Sequence, residues 1–210
     1  MVFRRLFGLD ENAATAPGAP AGPVDPTGQP AVDAEAETAV IRRITAQLDA
    51  MPEDRARYLA GYAYILSRAA LADMRVTDEE TAAMERTVID VGAIPEAEAV
   101  LVVEMAKTQS KLYGATEDYI ITRDWSTRAT TDDKLALLRA CYLVGAANGS
   151  ISAEENATLG QIANEFQLDA DQVRSVRAEF YEKLSVVQAL HAQQVAAAES
   201  QDAEAATPQA

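Results

Sequence analysis

From Val40 onward the large apolar residues return every three or four positions, the period of an amphipathic helix rather than a strand. Val40, Ile41, Ile44 and Leu48 fall on one face, which ends near Met51 and Pro52. Tyr58, Leu59, Tyr62, Ile65, Leu66 and Ala69 make a second stripe, and Met84, Val88 and Val91 a third. Ala97, Leu101, Met105 and Leu112 follow, then Leu135, Leu138, Cys141, Tyr142 and Gly145. Leu159, Ile162, Ala163 and Phe166 precede a last set at Val173, Val176, Phe180, Leu184 and Val187. Each stripe reads as a core-facing surface. No segment alternates with period two between turn signals. The strand-like run Tyr119-Ile120-Ile121-Thr122 is short and isolated, so it is assigned to a helix or turn. The pattern predicts an all-α, compact bundle of about seven or eight helices over residues 38–190.

The flanks read differently. Pro17, Pro20, Pro23, Pro26 and Pro30 interrupt residues 11–37 too often for helix or sheet, so that stretch is a Pro/Ala-rich linker. Residues 1–10 form a short amphipathic segment. Residues 191–210 are expected to be a disordered or frayed tail, since Ala196 to Ala210 carry no large apolar side chain to bury.

The most informative feature is a self-match at an offset of 75. Ala72-Asp73-Met74-Arg75-Val76-Thr77-Asp78-Glu79-Glu80 aligns without gaps on Ala147-Asn148-Gly149-Ser150-Ile151-Ser152-Ala153-Glu154-Glu155. Flanking positions follow: Leu66 matches Cys141, Met84 matches Leu159 and Val91 matches Phe166. Two pseudo-repeated helix–turn–helix units account for the match. In each copy Thr77 or Ser152 is a helix N-cap and Glu80 or Glu155 sits three residues on, the spacing of a capping box. Asn148-Gly149 suits a left-handed helix stop. Val76 and Ile151 point inward ahead of the cap. Asp169-Ala170-Asp171-Gln172 is a further capping box.

The same residues carry a second chemistry. Asp/Asn, an aliphatic residue and then Glu resemble the later half of a calcium loop, but one loop cannot supply six or seven oxygens. A divalent cation could be held if the two loops met and pooled Asp73, Asp78, Glu79, Asn148 and Glu154, with Glu80 and Glu155 joining where capping leaves them free.

Composition narrows the remaining classes. The 210 residues carry 18 Lys+Arg against 33 Asp+Glu, a formal net charge of −15. That balance excludes general nucleic-acid binding, which needs clustered cations for phosphate. One cysteine, Cys141, permits neither an internal disulfide nor a Cys-based zinc cluster, and its apolar helical face marks it as core. One histidine, His191, rules out a paired Glu-x-x-His di-iron bundle, and it is poorly placed for a triad. Gly145 and Gly160 lack the strand-then-helix context of a phosphate loop. Trp125 reads as a packing anchor, and Asp132-Asp133 as a helix start.

The doubled motif resembles the tellurite-resistance TerB family of bacterial helical domains. Members carry two copies of Ala-Asp-Gly-x-[Val/Ile]-[Ser/Asp]-x-Glu-Glu, each opening a helix. The helices before them, rich in small and aromatic residues, resemble Tyr58 to Leu71 and Leu135 to Ala146. The resemblance covers roughly residues 50–190. Met74 stands where the family has Gly, and Asn148 where it has Asp, which weakens an acidic cation site. The resemblance implies an all-helical fold, an acidic face and a role in stress response through cation sensing and association with membrane complexes. It does not imply reduction of tellurium oxyanions, for which the chain offers one thiol.

Phe3, Leu6 and Phe7 share a helical face beside Arg4 and Arg5, so residues 2–9 could touch an anionic membrane or enter a partner groove. The chain has no apolar run long enough to span a bilayer, and Arg4, Arg5, Asp10 and Glu11 do not read as a secretory leader. The cytoplasm, with peripheral contact at the inner membrane, is the expected location. The leading expectation is a non-catalytic interaction or sensor module with a protein partner. The alternatives are a metal-dependent enzyme using acidic residues and a purely structural adaptor.

Overall fold

A computed structural model describes residues 32–70, 78–109 and 115–205. Among these are nine α-helices: α1 (Val32–Asp49), α2 (Glu53–Ala69), α3 (Asp78–Asp90), α4 (Glu96–Gln109), α5 (Ala115–Arg128), α6 (Thr131–Gly145), α7 (Ala153–Glu165), α8 (Ala170–Glu179) and α9 (Ser185–Ala205). A 3₁₀ turn, Tyr181–Lys183, precedes α9. The all-α bundle expected from the apolar period is the fold, and Tyr119 to Thr122 lie within α5.

Helix α2 is the hub. It packs against α1, α4, α5, α6 and α7, and every residue from Gly61 to Ala69 is buried. The second apolar stripe therefore understates this helix. Ala60, Gly61, Ala63 and Ser67 fill its other faces, and their small size lets neighbouring helices close in all round. Helix α4 also buries more than its stripe, with Ala99, Leu101, Val102, Val103, Met105 and Ala106 all buried, whereas Ala97, placed in the stripe, and Val100 are exposed. Ile41, likewise assigned to a core face, is exposed. Leu112 lies outside the described residues.

Trp125, expected as a packing anchor between helices, lies within α5 and anchors the centre. It is fully buried among Tyr58, Tyr62 and Phe166, with ring centroids 5.4, 6.2 and 5.2 Å away. Its indole N–H donates to the Tyr58 carbonyl at 3.1 Å, which satisfies the one polar atom of the ring. Gly61 makes this possible, because a Cβ there would lie 2.7 Å from Trp125 Cδ1.

Both ends differ from the compositional bounds. Helix α1 starts at Val32, inside the expected linker, because Pro30 is the last helix breaker and good helix formers such as Ala34, Glu35 and Ala36 follow. Helix α9 continues to Ala205, through much of the expected tail, since Ala and Gln sustain a helix without burying a side chain. Residues 188–198 are all exposed.

Helices α3 and α7 have the same length, and their bounds differ by the offset that separates Asp78 from Ala153. Helix α3 packs on α6 and α7 packs on α2. The first copy's loop, 71–77, lies outside the described residues.

Substituting Gly61→Ala should lower stability by about 1–2 kcal/mol, because overpacking against Trp125 exceeds the gain in helix propensity. Urea denaturation followed by tryptophan fluorescence measures it; an unchanged or higher midpoint would mean that the indole repacks without cost.

Candidate functional site

The second motif copy is built as a tightly held turn. Helix α6 ends at Gly145, and the N–H of its C-cap, Ala146, donates to the Tyr142 carbonyl at 2.9 Å. Gly149 takes φ +95°, the left-handed conformation that the Asn-Gly pair suggested. Asn148 Oδ1 accepts the Ser150 N–H at 3.1 Å, closing a local turn. Ile151 is buried and forms a parallel bridge with Leu184: its N–H donates to the Lys183 carbonyl at 2.7 Å, and its carbonyl accepts the Ser185 N–H at 2.9 Å. Gln188 Nε2 donates to the Gly149 carbonyl at 3.1 Å. The turn is thus tied to the start of α9.

The expected capping box is present. Ser152 N–H donates to Glu155 Oε2 at 2.7 Å, and Glu155 N–H donates to Ser152 Oγ at 3.1 Å. The one at Asp169 and Gln172 is present too. Thr130 and Asp133 form another at the start of α6, where the acid pair marked a helix start.

Of the seven candidate cation ligands, three have described side chains. Asn148 is engaged in its own turn, Glu155 in the cap, and Glu154 is exposed. Asp78, Glu79 and Glu80 occupy the first positions of α3, with side chains outside the described residues, and Asp73 lies in the loop outside them. Among the described residues no group of three or more His, Cys, Asp or Glu side chains is arranged to hold a metal ion.

A buried polar cluster lies where the sequence pattern showed only an apolar helix. Arg68 of α2, with its side chain 7% exposed, donates to Glu165 at 2.6 and 3.2 Å and to Thr122 Oγ1 at 2.6 Å. Asp118 Oδ2 lies 3.8 Å from its Nε, and Asp118 Oδ1 accepts the Tyr64 hydroxyl at 2.6 Å. One guanidinium thus joins α2, α5 and α7 just before loop 71–77. The available signal was Arg68 itself, a lone charge between Tyr64 and Leu71; its partner Glu165 lies 97 residues away.

The core groups are not poised for proton transfer. Burial pushes the Cys141 thiol up to about 12, with the Arg68 charge pulling weakly the other way. Burial first, and then the Asp133 carboxylate, raises the Tyr58 phenol well above its ordinary value. His191 is exposed, with Nδ1 3.5 Å from a Glu182 carboxylate oxygen.

The fold defines an all-helical, acidic domain in which the second motif copy opens α7. A family model described as tellurite resistance protein TerB matches residues 58–178, more than half of the chain. The chain belongs to the TerB family. No curated protein and no solved structure matches it.

Glu165→Ala should cost about 3 kcal/mol, because Arg68 would be left buried beside a single, half-exposed carboxylate. A loss under about 1 kcal/mol in urea denaturation would show that solvent already screens the pair. Cys141 should resist a thiol reagent at pH 8 in the native protein and react at once in guanidinium, since its thiol is neutral and enclosed. Rapid native labelling would contradict the enclosed core.

Proposed function

We propose that this chain is a non-catalytic, TerB-like interaction and sensor module of stress response. Its acidic loops take a divalent cation, a protein partner reads the acidic face, and residues 2–9 bring it beside a membrane or a protein complex in the cytoplasm. The observation that carries this reading is the family match over 58–178, which spans both copies of the motif. The exposed Glu154 at the second loop and the net charge of −15 agree with it. No helix among the described residues is long and apolar enough to cross a membrane, so membrane contact would be peripheral.

One observation favours a second reading, a structural adaptor whose acids cap helices. Glu155 already closes the Ser152 cap, and Asn148 closes its own turn. Taking Glu155 for a cation would forfeit a cap worth about 0.5–2 kcal/mol, which metal binding would have to exceed.

Calorimetric titration of Ca²⁺, Mg²⁺, Mn²⁺ and Zn²⁺ into chelator-treated protein separates the two. The sensor reading expects saturable heat that Asp73→Ala and Glu154→Ala both abolish, with the helical circular dichroism intact. Absence of heat at millimolar metal would leave the adaptor reading.

A further inference from the structure

Helices α3 and α7 have the same length and begin at Asp78 and Ala153, 75 residues apart, yet the domain holds them unequally. Helix α7 packs against α2, α5 and α6, and it buries Leu159, Ile162 and Ala163. Helix α3 packs chiefly against α4 and α6. Of its described side chains, Met84 and Val88 are the buried ones.

The contrast is sharpest at the C-terminal ends. The chain leaves each helix through a left-handed residue, Ala93 at φ +51° and Gln167 at φ +58°, so the backbone cost is alike. The end of α7 is tied down. Glu165 accepts from the buried Arg68 at 2.6 Å, the Phe166 carbonyl accepts the Ser126 hydroxyl at 3.1 Å, and the Phe166 ring is fully buried beside Trp125. At the matching positions of α3 stand Asp90, exposed, and Val91, half-buried. Asp90 adds a negative charge at the negative end of the helix dipole. Under this end lies the Tyr62 hydroxyl of α2, buried and with no hydrogen-bond partner among the described residues. It takes the place of a side chain at Gly92, where a Cβ would lie 2.1 Å from it. A buried hydroxyl left unpaired is a cost to the closed arrangement that contact with water removes.

We propose that α3 is the moving part of the domain: it lifts off α4 and α6 about the Gly92–Ala93 corner while α2 and α4 to α9 stay folded. Exposure of Met84 and Val88 opposes the motion. Hydration of the Tyr62 hydroxyl and release of Ala93 from its left-handed conformation favour it. Lifting α7 would instead break the Arg68–Glu165 pair and expose Phe166. The two motif copies therefore differ in mechanics. Asp78, Glu79 and Glu80 form the first turn of the helix that moves, whereas Glu154 and Glu155 sit on the helix that stays.

Native-state amide hydrogen exchange on the full chain tests this. Amides from Ala83 to Ile89 should exchange at least about tenfold faster than those from Thr158 to Asn164, through an opening that lies below global unfolding. Glu165→Gln should speed exchange in α7 and leave α3 unchanged, because the Arg68–Glu165 pair survives when α3 opens. Tyr62→Phe should slow exchange in α3 severalfold, because it removes the group that opening hydrates. Equal rates in the two helices overturn the proposal. So does a Glu165→Gln effect of the same size in both, which would mean that α3 exchanges only when the whole domain unfolds. A Tyr62→Phe variant with an unchanged rate in α3 overturns it as well.

Discussion

Enclosure of α2 is the constraint on which the rest of the domain depends. A helix buried on one face needs a stripe of large apolar residues; a helix buried on every face needs small ones as well. Ala60, Gly61, Ala63 and Ser67 meet that second demand, and the space at Gly61 is taken by the Trp125 ring. The indole joins α5 to Tyr58 and Tyr62 of α2 and to Phe166 at the end of α7. With α2 closed in this way, little of Arg68 reaches water. Its charge must be met inside, which Glu165 and Thr122 do by hydrogen bonds and Asp118 by proximity. Packing and electrostatics thus converge on the same three helices, and they hold the end of α2 from which the first motif loop departs.

At the motif loops, helix capping and cation binding draw on one set of atoms. A Ser or Thr followed three residues later by Glu satisfies backbone N–H groups at a helix start, and the same Glu is a good hard-cation ligand. The second loop shows how far capping has claimed them: Glu155 through the cap, Asn148 through the turn that Gly149 permits, and the turn itself through the Ile151–Leu184 bridge. Glu154 is the acid of that loop turned to solvent. A cation there would gain a preformed backbone at the cost of competing with a cap, which points to weak affinity unless the first loop supplies most of the charge.

Much of this was legible in the sequence, and the reasons are local. Capping boxes, the Asn-Gly turn and the α3 and α7 bounds depend on residues a few positions apart, so their spacing reports them directly. Cys141 was placed in the core because residue type and helical position agree, and Trp125 was read as a packing anchor from its residue type alone. What escaped was relational. A stripe of Tyr58, Tyr62 and Ile65 looks the same whether the opposite face meets water or another helix, so the burial of α2 all round could not be read from period alone. Arg68 finds Glu165 only after the chain has folded back. The two ends were misjudged for another reason: composition reports the absence of a core, and helix needs only propensity, as α9 shows.

The charge distribution divides the molecule into two kinds of surface. Acids crowd the helical body, where they cap helices and pair with arginines such as Arg55 with Glu98 and Arg139 with Glu179. The excess that remains makes the body repel other polyanions and attract cations and basic surfaces. Helix α9, tied to the second loop through Ile151 and Gln188, leaves that field along an uncharged path. A ligand that altered the second loop would act on residues that also set the base of α9. The bridge is two backbone hydrogen bonds, at 2.7 and 2.9 Å, backed by the buried Ile151 side chain. Through it the turn of the second loop and the base of α9 share one set of backbone hydrogen bonds.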